Sequence, residues 1–189
     1  MIAAKIHPKT CRQCGKMFVP ARPLQSVCSP RCATRMAVVA EKEKKAKQRS
    51  MTKARKEELK TISDRIEEAQ KAFNAYIRLR DKLACHTCIS SGQPLNWWRG
   101  NAVDAGHYRS TGAAPHLRFD ERNCHAQSKQ QNRYLAGNAV DYRIRLIERI
   151  GLEEVEALEA DNRTKKWTHA ELIEIAAKYR AKLKALKKR

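Results

Sequence analysis

The sequence predicts a mostly helical α+β fold built from small modules rather than around one large core. Three observations lead to this prediction. Four cysteines fall within the first 32 residues, neither glycine nor proline occurs between Ala33 and Ala84, and glycines and prolines interrupt residues 85–138 before helical patterns resume. Only 6% of the 189 residues are aromatic while 32% are charged, which disfavours a large sandwich or barrel.

The charge of the chain indicates a polyanionic partner. Lys and Arg number 40 against 20 Asp and Glu, which gives a formal net charge of +20 and a pI near 10.0. Nucleic acid is the expected polyanion, because it relieves the self-repulsion of so basic a protein. No run approaches about 18 apolar residues, and MIAAKIHPKT lacks the apolar region of a signal peptide. We therefore expect a cytoplasmic protein with no membrane partner.

The cysteines of the N-terminal segment have the spacing of a zinc site. The pattern C-x2-C-x13-C-x3-C places Cys11, Cys14, Cys28 and Cys32 in two short knuckles separated by a turn-rich stretch. Tetrahedral zinc needs four soft donors, and thiols of a cytosolic chain are more commonly metal ligands than disulfide partners. Residues 1–34 are therefore predicted to fold around structural Zn2+.

Residues 35–84 are predicted to form a basic helical arm. Residues 41–60 hold nine Lys or Arg and four Asp or Glu, which is typical of a solvated helix and also permits phosphate contact. An apolar stripe at three- and four-residue steps follows, and it must pack against another element. Its members are Ile62, Ile66, Ala69, Phe73 and Ile77.

The C-terminal part is predicted to be helical. Residues 141–150 form one amphipathic segment that Gly151 ends, and residues 152–160 form a second, short one. A third helix opens at Thr168, because Glu171 completes a capping box with it. The apolar positions of this last helix are Leu172, Ile175, Ala176, Tyr179 and Leu183.

The segment between the arm and these helices carries residues suited to phosphodiester hydrolysis. The reaction needs a base for water, a cation near the phosphate, and groups that hold the base in its useful tautomer. His107 has the side chain of a base, Asp104 offers a hard oxygen ligand and Asn123 an orienting amide. The candidates for binding phosphate are Arg109, Arg118 and Arg122.

At these residues the chain resembles the NinG, or Rap, recombination proteins of lambdoid phages. The similarity includes DAGHYRSTGAAPHLRFDERN, AGNAVDYRIRLIERIG, the CSPRC knuckle and the KKWT segment, and it covers nearly the whole chain. The resemblance implies an endonuclease that cleaves branched recombination intermediates, such as D-loops and Holliday-type junctions. It implies an HNH-like ββα-metal core with His107 as general base, a helix from Ala126 onward, and catalytic Mg2+ or Mn2+.

The same resemblance suggests partners. Branched DNA is the expected substrate, and a phage or host recombinase is a further expected partner. A homodimer would match the two-fold symmetry of a junction. The HNH-like core and the C-terminal helices together make up residues 85–189 in this prediction.

The chain departs from the family pattern around a second zinc site. The second ligand pair of the pattern falls on Ser128 and Gln131, neither of which is a good zinc ligand. A histidine expected to close the catalytic metal site falls on Tyr134. These departures favour an alternative function, a non-catalytic accessory protein that binds branched DNA.

Cys85 and Cys88 are then half of a zinc site, and two interpretations stay open. Either the second zinc has been lost, or Cys124 replaces a missing thiolate while His125 or a water completes the shell. His125 is equally well interpreted as a packing residue. A third function, a zinc-dependent protein adaptor, explains the cysteines but leaves the charge of +20 and the DAGH segment unexplained.

Overall fold

The computed structural model describes residues 7–100 and 102–188. The chain divides into two compact units, the first ending at Leu59 and the second beginning at Lys60. Strands and helices are both present and helices predominate, which confirms the mostly helical α+β class. No helix in the described ranges is both long and apolar enough to cross a membrane.

The first unit contains a small hairpin and one long helix. Strands β1 (Lys9–Thr10) and β2 (Met17–Phe18) pair antiparallel, and helix α1 spans Pro30–Glu58. Ser29 caps α1 by accepting a hydrogen bond from the amide of Cys32, the single buried residue of this 29-residue helix. The predicted solvated helix is confirmed, because α1 has no apolar face to bury.

The glycine- and proline-free stretch forms two helices rather than one continuous arm. Helix α1 ends at Glu58, and helix α2 (Ile62–Leu83) starts after a capping box formed by Thr61 and Asp64. This box satisfies the first amides of α2 and so favours a new helix start. The division between the two units falls here, inside the predicted 35–84 arm. The functional assignment of three modules stays a prediction.

The second unit is a two-stranded hairpin between helices. Strand β3 (Val103–His107) pairs antiparallel with β4 (Cys124–Ser128), so that His107 lies opposite Cys124 and Val103 opposite Ser128. Helices α3 (Ala139–Ile150), α4 (Leu152–Ala160) and α5 (His169–Leu186) follow. The three C-terminal helices and the Thr168 capping box are thus confirmed.

Two apolar clusters hold the hairpin in place. Ala105 and Cys124 face the first cluster, where Phe73 of α2 meets Tyr179 of α5 edge to face at 4.8 Å between ring centroids. The predicted stripes of α2 and α5 therefore pack mainly on each other. The second cluster is built around Tyr142 and Leu146 of α3 and Val155 and Leu158 of α4.

The expected helix from Ala126 onward is wrong. Strand β4 continues to Ser128, and a single π-helical turn, Gln130–Tyr134, follows it. The turn does not continue into α3 because Ala136, Gly137 and Asn138 all have positive φ angles of 50°, 82° and 47°. Left-handed backbone interrupts a right-handed helix, so the hairpin is followed by a turn and not by a full helix.

Candidate functional site

The four N-terminal cysteines converge, as their spacing predicted. Their sulfur atoms all lie within 4.8 Å of one another, and the Sγ of Cys28 is 3.6 Å from the Sγ atoms of both Cys14 and Cys32. Four thiolates at about 2.3 Å from a tetrahedral zinc ion stand about 3.8 Å apart. The four cysteines therefore fit a zinc ion.

Local backbone geometry builds this cluster. The amide of Cys11 donates to the carbonyl of Lys16 and the amide of Gly15 donates to the carbonyl of Cys11, both at 2.9 Å. Gly15 has φ +72°, which closes the loop at little steric cost. Burial raises the pKa of a thiol, but backbone N–H groups of Cys28, Cys14 and Gln13 outweigh it at Cys11 and lower that pKa to about 6. The loop is thus shaped for a thiolate.

His107 lies at the end of β3 with its ring held in one tautomer. Its Nε2 atom is 2.9 Å from the carbonyl oxygen of Arg118. A carbonyl only accepts, so Nε2 carries the hydrogen and Nδ1 keeps a lone pair. The Nδ1 atom lies 3.8 Å from the Sγ of Cys124, and the ring centroid is 6.0 Å from that of Phe73.

The surroundings of His107 keep its ring neutral. Burial lowers its pKa and the positive charge of Arg118 lowers it further, while the hydrogen bond to the Arg118 carbonyl acts in the opposite direction with a smaller effect. Above the ordinary histidine pKa of about 6.5, the ring is therefore neutral and its Nδ1 lone pair points to the Cys124 thiol. This is the protonation state that a general base requires.

Asn123 holds the loop that orients His107. Its buried side chain accepts a hydrogen bond from the amide of Arg109 at 2.8 Å and donates to the carbonyls of Arg109 and Leu117 at 3.0 and 3.2 Å. These contacts fix the loop at Arg109 and at Leu117. The residue after Leu117 is Arg118, whose carbonyl accepts the hydrogen bond from His107. Asn123 acts on the base through the backbone, as a positioning residue.

The structure does not bring Asp104 to His107. The two residues are three apart on β3, so their side chains point to opposite faces about 10 Å apart along the strand. The Oδ2 atom of Asp104 instead accepts hydrogen bonds from Asn132 at 3.1 Å and Arg133 at 2.9 Å.

The sequence predicted that Asp104 offers an oxygen ligand to a catalytic Mg2+ or Mn2+ ion. Mg2+ binds through about one or two carboxylates, keeps several waters and takes substrate phosphate oxygens as further ligands. The Asp104 carboxylate forms an ion pair with the guanidinium of Arg133, and the Arg133 side chain is 59% exposed. As they stand, Asp104 and Asn132 do not form a preformed cation site, and a catalytic ion there stays a prediction.

The three predicted phosphate-binding arginines already have partners inside the second unit. Arg109 donates to the carbonyls of Leu158, Glu159 and Asp161 and to the side chain of Asn162. Arg118 donates to Gln70 and Thr111, and Arg122 pairs with Asp120 and Glu154. Arg109 and Arg122 therefore connect the loop to α4, whereas Arg118 connects it to α2. Phosphate binding by the three arginines stays an untested prediction that these contacts disfavour.

The structure does not assemble Cys85, Cys88, Cys124 and His125 into a metal site. Within residues 7–100 and 102–188, only one group of three or more Cys, His, Asp or Glu side chains is close enough together to hold a metal ion, and it consists of the four N-terminal cysteines. Cys124 and His125 are neighbours on β4 and therefore point to opposite faces. The structure does not bring Cys124 and His125 together as replacement ligands beside Cys88, and Cys85 is exposed with φ 54°, so a metal role for these residues stays a prediction.

His125 is a buried packing residue in a network that the sequence did not reveal. Its Nε2 lies 3.1 Å from the Arg122 carbonyl and its Nδ1 lies 3.1 Å from Arg80, so both nitrogens are occupied. Burial, with a further effect from Arg80, lowers the pKa of His125 to about 3. Asp81, fully buried, accepts from Arg80 and from the Ala126 amide. No motif marks Arg80 or Asp81, which lie between ordinary helical residues.

Comparison with known proteins agrees with the resemblance seen in the sequence. The family model described as Bacteriophage Lambda NinG protein matches residues 3–189. Protein ninG of Salmonella phage P22 is 42% identical over 97% of this chain and 96% of its own length. Protein ninG of Escherichia phage lambda and that of Escherichia phage 933W are each 41% identical with the same coverage. No solved structure matches the chain. The chain therefore belongs to the NinG family of phage proteins.

Proposed function

We propose that this protein is an endonuclease of branched DNA, in which His107 is the general base. The observation that carries the proposal is the fixed tautomer of His107. Its Nε2–H is bound to the Arg118 carbonyl and its pKa is lowered by burial, so Nδ1 is the unprotonated nitrogen, 3.8 Å from the buried Cys124 thiol. His107 is partly exposed, but its Nδ1 faces the buried Cys124 thiol, so the proposal requires water to displace that contact.

The chemistry of the proposed step is hydrolysis of a phosphodiester. Water attacks phosphorus, its proton passes to Nδ1 of His107, and the bond from phosphorus to the leaving oxygen breaks. A divalent ion would stabilise the negative charge that develops on the phosphate, and because Asp104 lies on the other face of β3 its carboxylate would have to approach His107 to hold that ion. Asn123 keeps the Arg118 carbonyl, and hence the base, in place.

We place the main DNA contact on α1 rather than on the three arginines of the second unit. At about 100° per residue, seven cations of α1 fall within a sector of about 80° that contains no acidic residue. We call this face the basic stripe, and all its members are exposed. Its members are Arg31, Arg35, Lys42, Lys45, Arg49, Lys53 and Lys56.

The length and regularity of the basic stripe suit a phosphate backbone. At about 1.5 Å per residue the stripe extends about 38 Å, slightly more than one turn of B-DNA at about 34 Å. One exposed member, Lys45, is paired with Glu41 at 3.5 Å, a weak contact that a phosphate can replace. Contacts of this kind are independent of base sequence, so selectivity would follow from the shape of the junction.

A cleavage assay tests the nuclease proposal. Labelled four-way junction and linear duplex are incubated with the protein in Mg2+, in Mn2+ and in EDTA. We expect metal-dependent cleavage of the junction by the native protein and little by His107→Ala. Undiminished cleavage by His107→Ala would overturn the assignment of the base, and cleavage in EDTA would overturn the metal requirement.

A second candidate function is binding of branched DNA without cleavage. The observation that favours it is the ion pair between Asp104 and Arg133, together with the placement of Asp104 and His107 on opposite faces of β3. A gel-shift experiment on the same junction separates the two functions. Binding of junction without cleavage in any metal would support this candidate and reject the nuclease.

A further inference from the structure

The loop at Cys88 repeats the hydrogen bonds of the first cysteine knuckle. In the first, the amide of Cys11 donates to Lys16 and that of Gly15 donates to Cys11, both at 2.9 Å. In the second, the amide of Cys88 donates to Gln93 at 2.9 Å and that of Gly92 donates to Cys88 at 2.8 Å. The glycines match as well, with φ +72° and +70°. Cys88 thus corresponds to Cys11, and Ser91 to Cys14.

The contact between the two halves of the site is repeated too. The amide of Cys28 donates to the sulfur of Cys11 at 3.4 Å, and the amide of Ser128 donates to the sulfur of Cys88 at 3.2 Å. Ser128 therefore stands where the first site has its third cysteine. The amide of Gln131 donates to the Ser128 hydroxyl at 3.3 Å, which closes the second half.

The donors at these four positions do not fit zinc. Cys88 supplies one thiolate, but Ser91, Ser128 and Gln131 supply neutral hydroxyl and amide groups, and structural zinc is bound by Cys, His, Asp or Glu. Cys85 does not replace a ligand, because it precedes the loop and its side chain is exposed. The second zinc site that the family resemblance implies is thus absent from these residues by their chemistry.

We propose that the loop Cys88–Gln93 and the turn after β4 form a zinc-knuckle pair that folds without metal, with hydrogen bonds in place of the ion. Additional contacts join the same two segments. Ser90 donates to the Gly137 carbonyl at 3.0 Å, and the buried side chain of Gln127 donates to Gly137 at 2.7 Å and to Ser90. The pair fixes the turn that carries Asn132 and Arg133, and so it sets the surroundings of Asp104.

This geometry makes a positive prediction about metal content. The protein should bind one zinc ion, through Cys11, Cys14, Cys28 and Cys32. The triple variant Ser91→Cys, Ser128→Cys, Gln131→Cys completes a second set of four thiolates with Cys88 and should bind two. Native mass spectrometry counts the ions, and thiolate-to-cobalt absorption in a Co2+ titration counts the thiolate sites independently of any activity.

The controls separate this proposal from ligand replacement by the other cysteines. Cys85→Ser and Cys124→Ala should leave one zinc in the native background and two in the triple variant. A native protein with two zinc ions, reduced to one by either control, would overturn the proposal. A triple variant that keeps the native circular dichroism spectrum but binds a single zinc would overturn it as well.

A milder variant covers the case in which the triple variant does not fold. Ser91→Cys with Ser128→Cys gives three thiolates at the second site, to which a water can be added as fourth ligand. We expect a second, weaker zinc ion in this double variant. A three-cysteine peptide serves as the control for zinc binding. If the double variant is folded but does not bind a second zinc ion at the zinc concentration that saturates this peptide, the result contradicts the proposal.

Discussion

The Nε2 atom of His107 lies 2.9 Å from the carbonyl oxygen of Arg118, and this single contact decides which ring nitrogen carries the hydrogen. Asn123 holds that carbonyl in place from the other side of the loop by bonding to Leu117 and Arg109. The arrangement separates the residue that would take a proton from the residue that positions it. Both roles lead to distinct predictions.

His107→Gln should reduce junction cleavage by about 10²-fold to 10⁴-fold, because a positioned general base contributes about that much to a rate. Junction affinity should stay within a factor of about two, since the neutral ring carries no charge to attract a phosphate. The matched control is His86→Gln, whose side chain lies outside the hairpin loop. Equal losses of cleavage in both variants would contradict the role of His107.

Cleavage should depend on pH in the direction that the His107 pKa sets. Burial lowers this pKa below its ordinary value, and the neutral ring is the active form. The rate should therefore be level above pH of about 6.5 and should fall only as the pH drops through the lowered pKa. A single-turnover pH profile measures this. A rate that keeps rising between pH 7 and 8 would show that another group is the base.

Asn123→Ala should destabilise the second unit and also impair the base. The substitution leaves the Arg109 amide and two carbonyls without their buried partner, which costs about 1–3 kcal/mol per unsatisfied group. Urea unfolding gives the loss of stability. A change in the apparent pKa of cleavage in the still folded variant distinguishes loss of positioning from loss of stability alone.

Acid should weaken the second unit through His125. The pKa of this buried ring is about 3, whereas an unfolded histidine titrates near 6.5, so the unfolded chain binds the extra proton between these values. The contribution of His125 to stability is therefore full above pH of about 6.5 and falls as the pH decreases toward 3. The slope of unfolding free energy against pH between 6 and 4 should decrease by about one proton in His125→Gln. An unchanged slope would contradict the burial of a neutral ring.

Removing charge from the basic stripe should change the salt dependence of DNA binding. The triple variant Lys45→Gln, Arg49→Gln, Lys53→Gln should have a shallower slope of log affinity against log salt. The magnitude of this slope should fall by about 2.7, because each lost phosphate contact contributes about 0.9. The control variant Lys44→Gln, Lys47→Gln, Arg55→Gln removes the same charge from the other side of α1. Equal decreases in both variants would show a diffuse field and not a contact along the stripe.

Chelation of zinc should unfold the first unit selectively. Its hairpin strands have two residues each, and among its described residues only Cys11, Pro20 and Cys32 are buried, so metal ligation would replace an apolar core. Cys14→Ser should remove the bound zinc and lower DNA affinity, while the unfolding transition of the second unit stays in place. Loss of both units on chelation would contradict their independence.

Much of the architecture is written in local patterns. The knuckle spacing of four cysteines, the capping box of Thr168 and Glu171, and Gly151 at the end of α3 each act within a few residues, and all three are present in the structure. Such features depend on backbone chemistry near the residue itself, so they are readable without tertiary information. Membership of the NinG family rests on sequence in the same way.

Long-range contacts decided the rest. The sequence alone could suggest His107, Asn123 and a basic helix, but the two faces of β3 separated Asp104 from His107, and hydrogen bonds withdrew Arg109 into the end of α4. Strand pairing also placed Cys124 and His125 on opposite faces and put Ser128 beside Cys88. These side-chain contacts depend on which helices and strands pack together, and the type of a residue does not predict which residues lie near it in the folded chain. The sequence by itself determined the zinc knuckle, the helices and the family, whereas only the tertiary structure decided which charged side chains remain free to act.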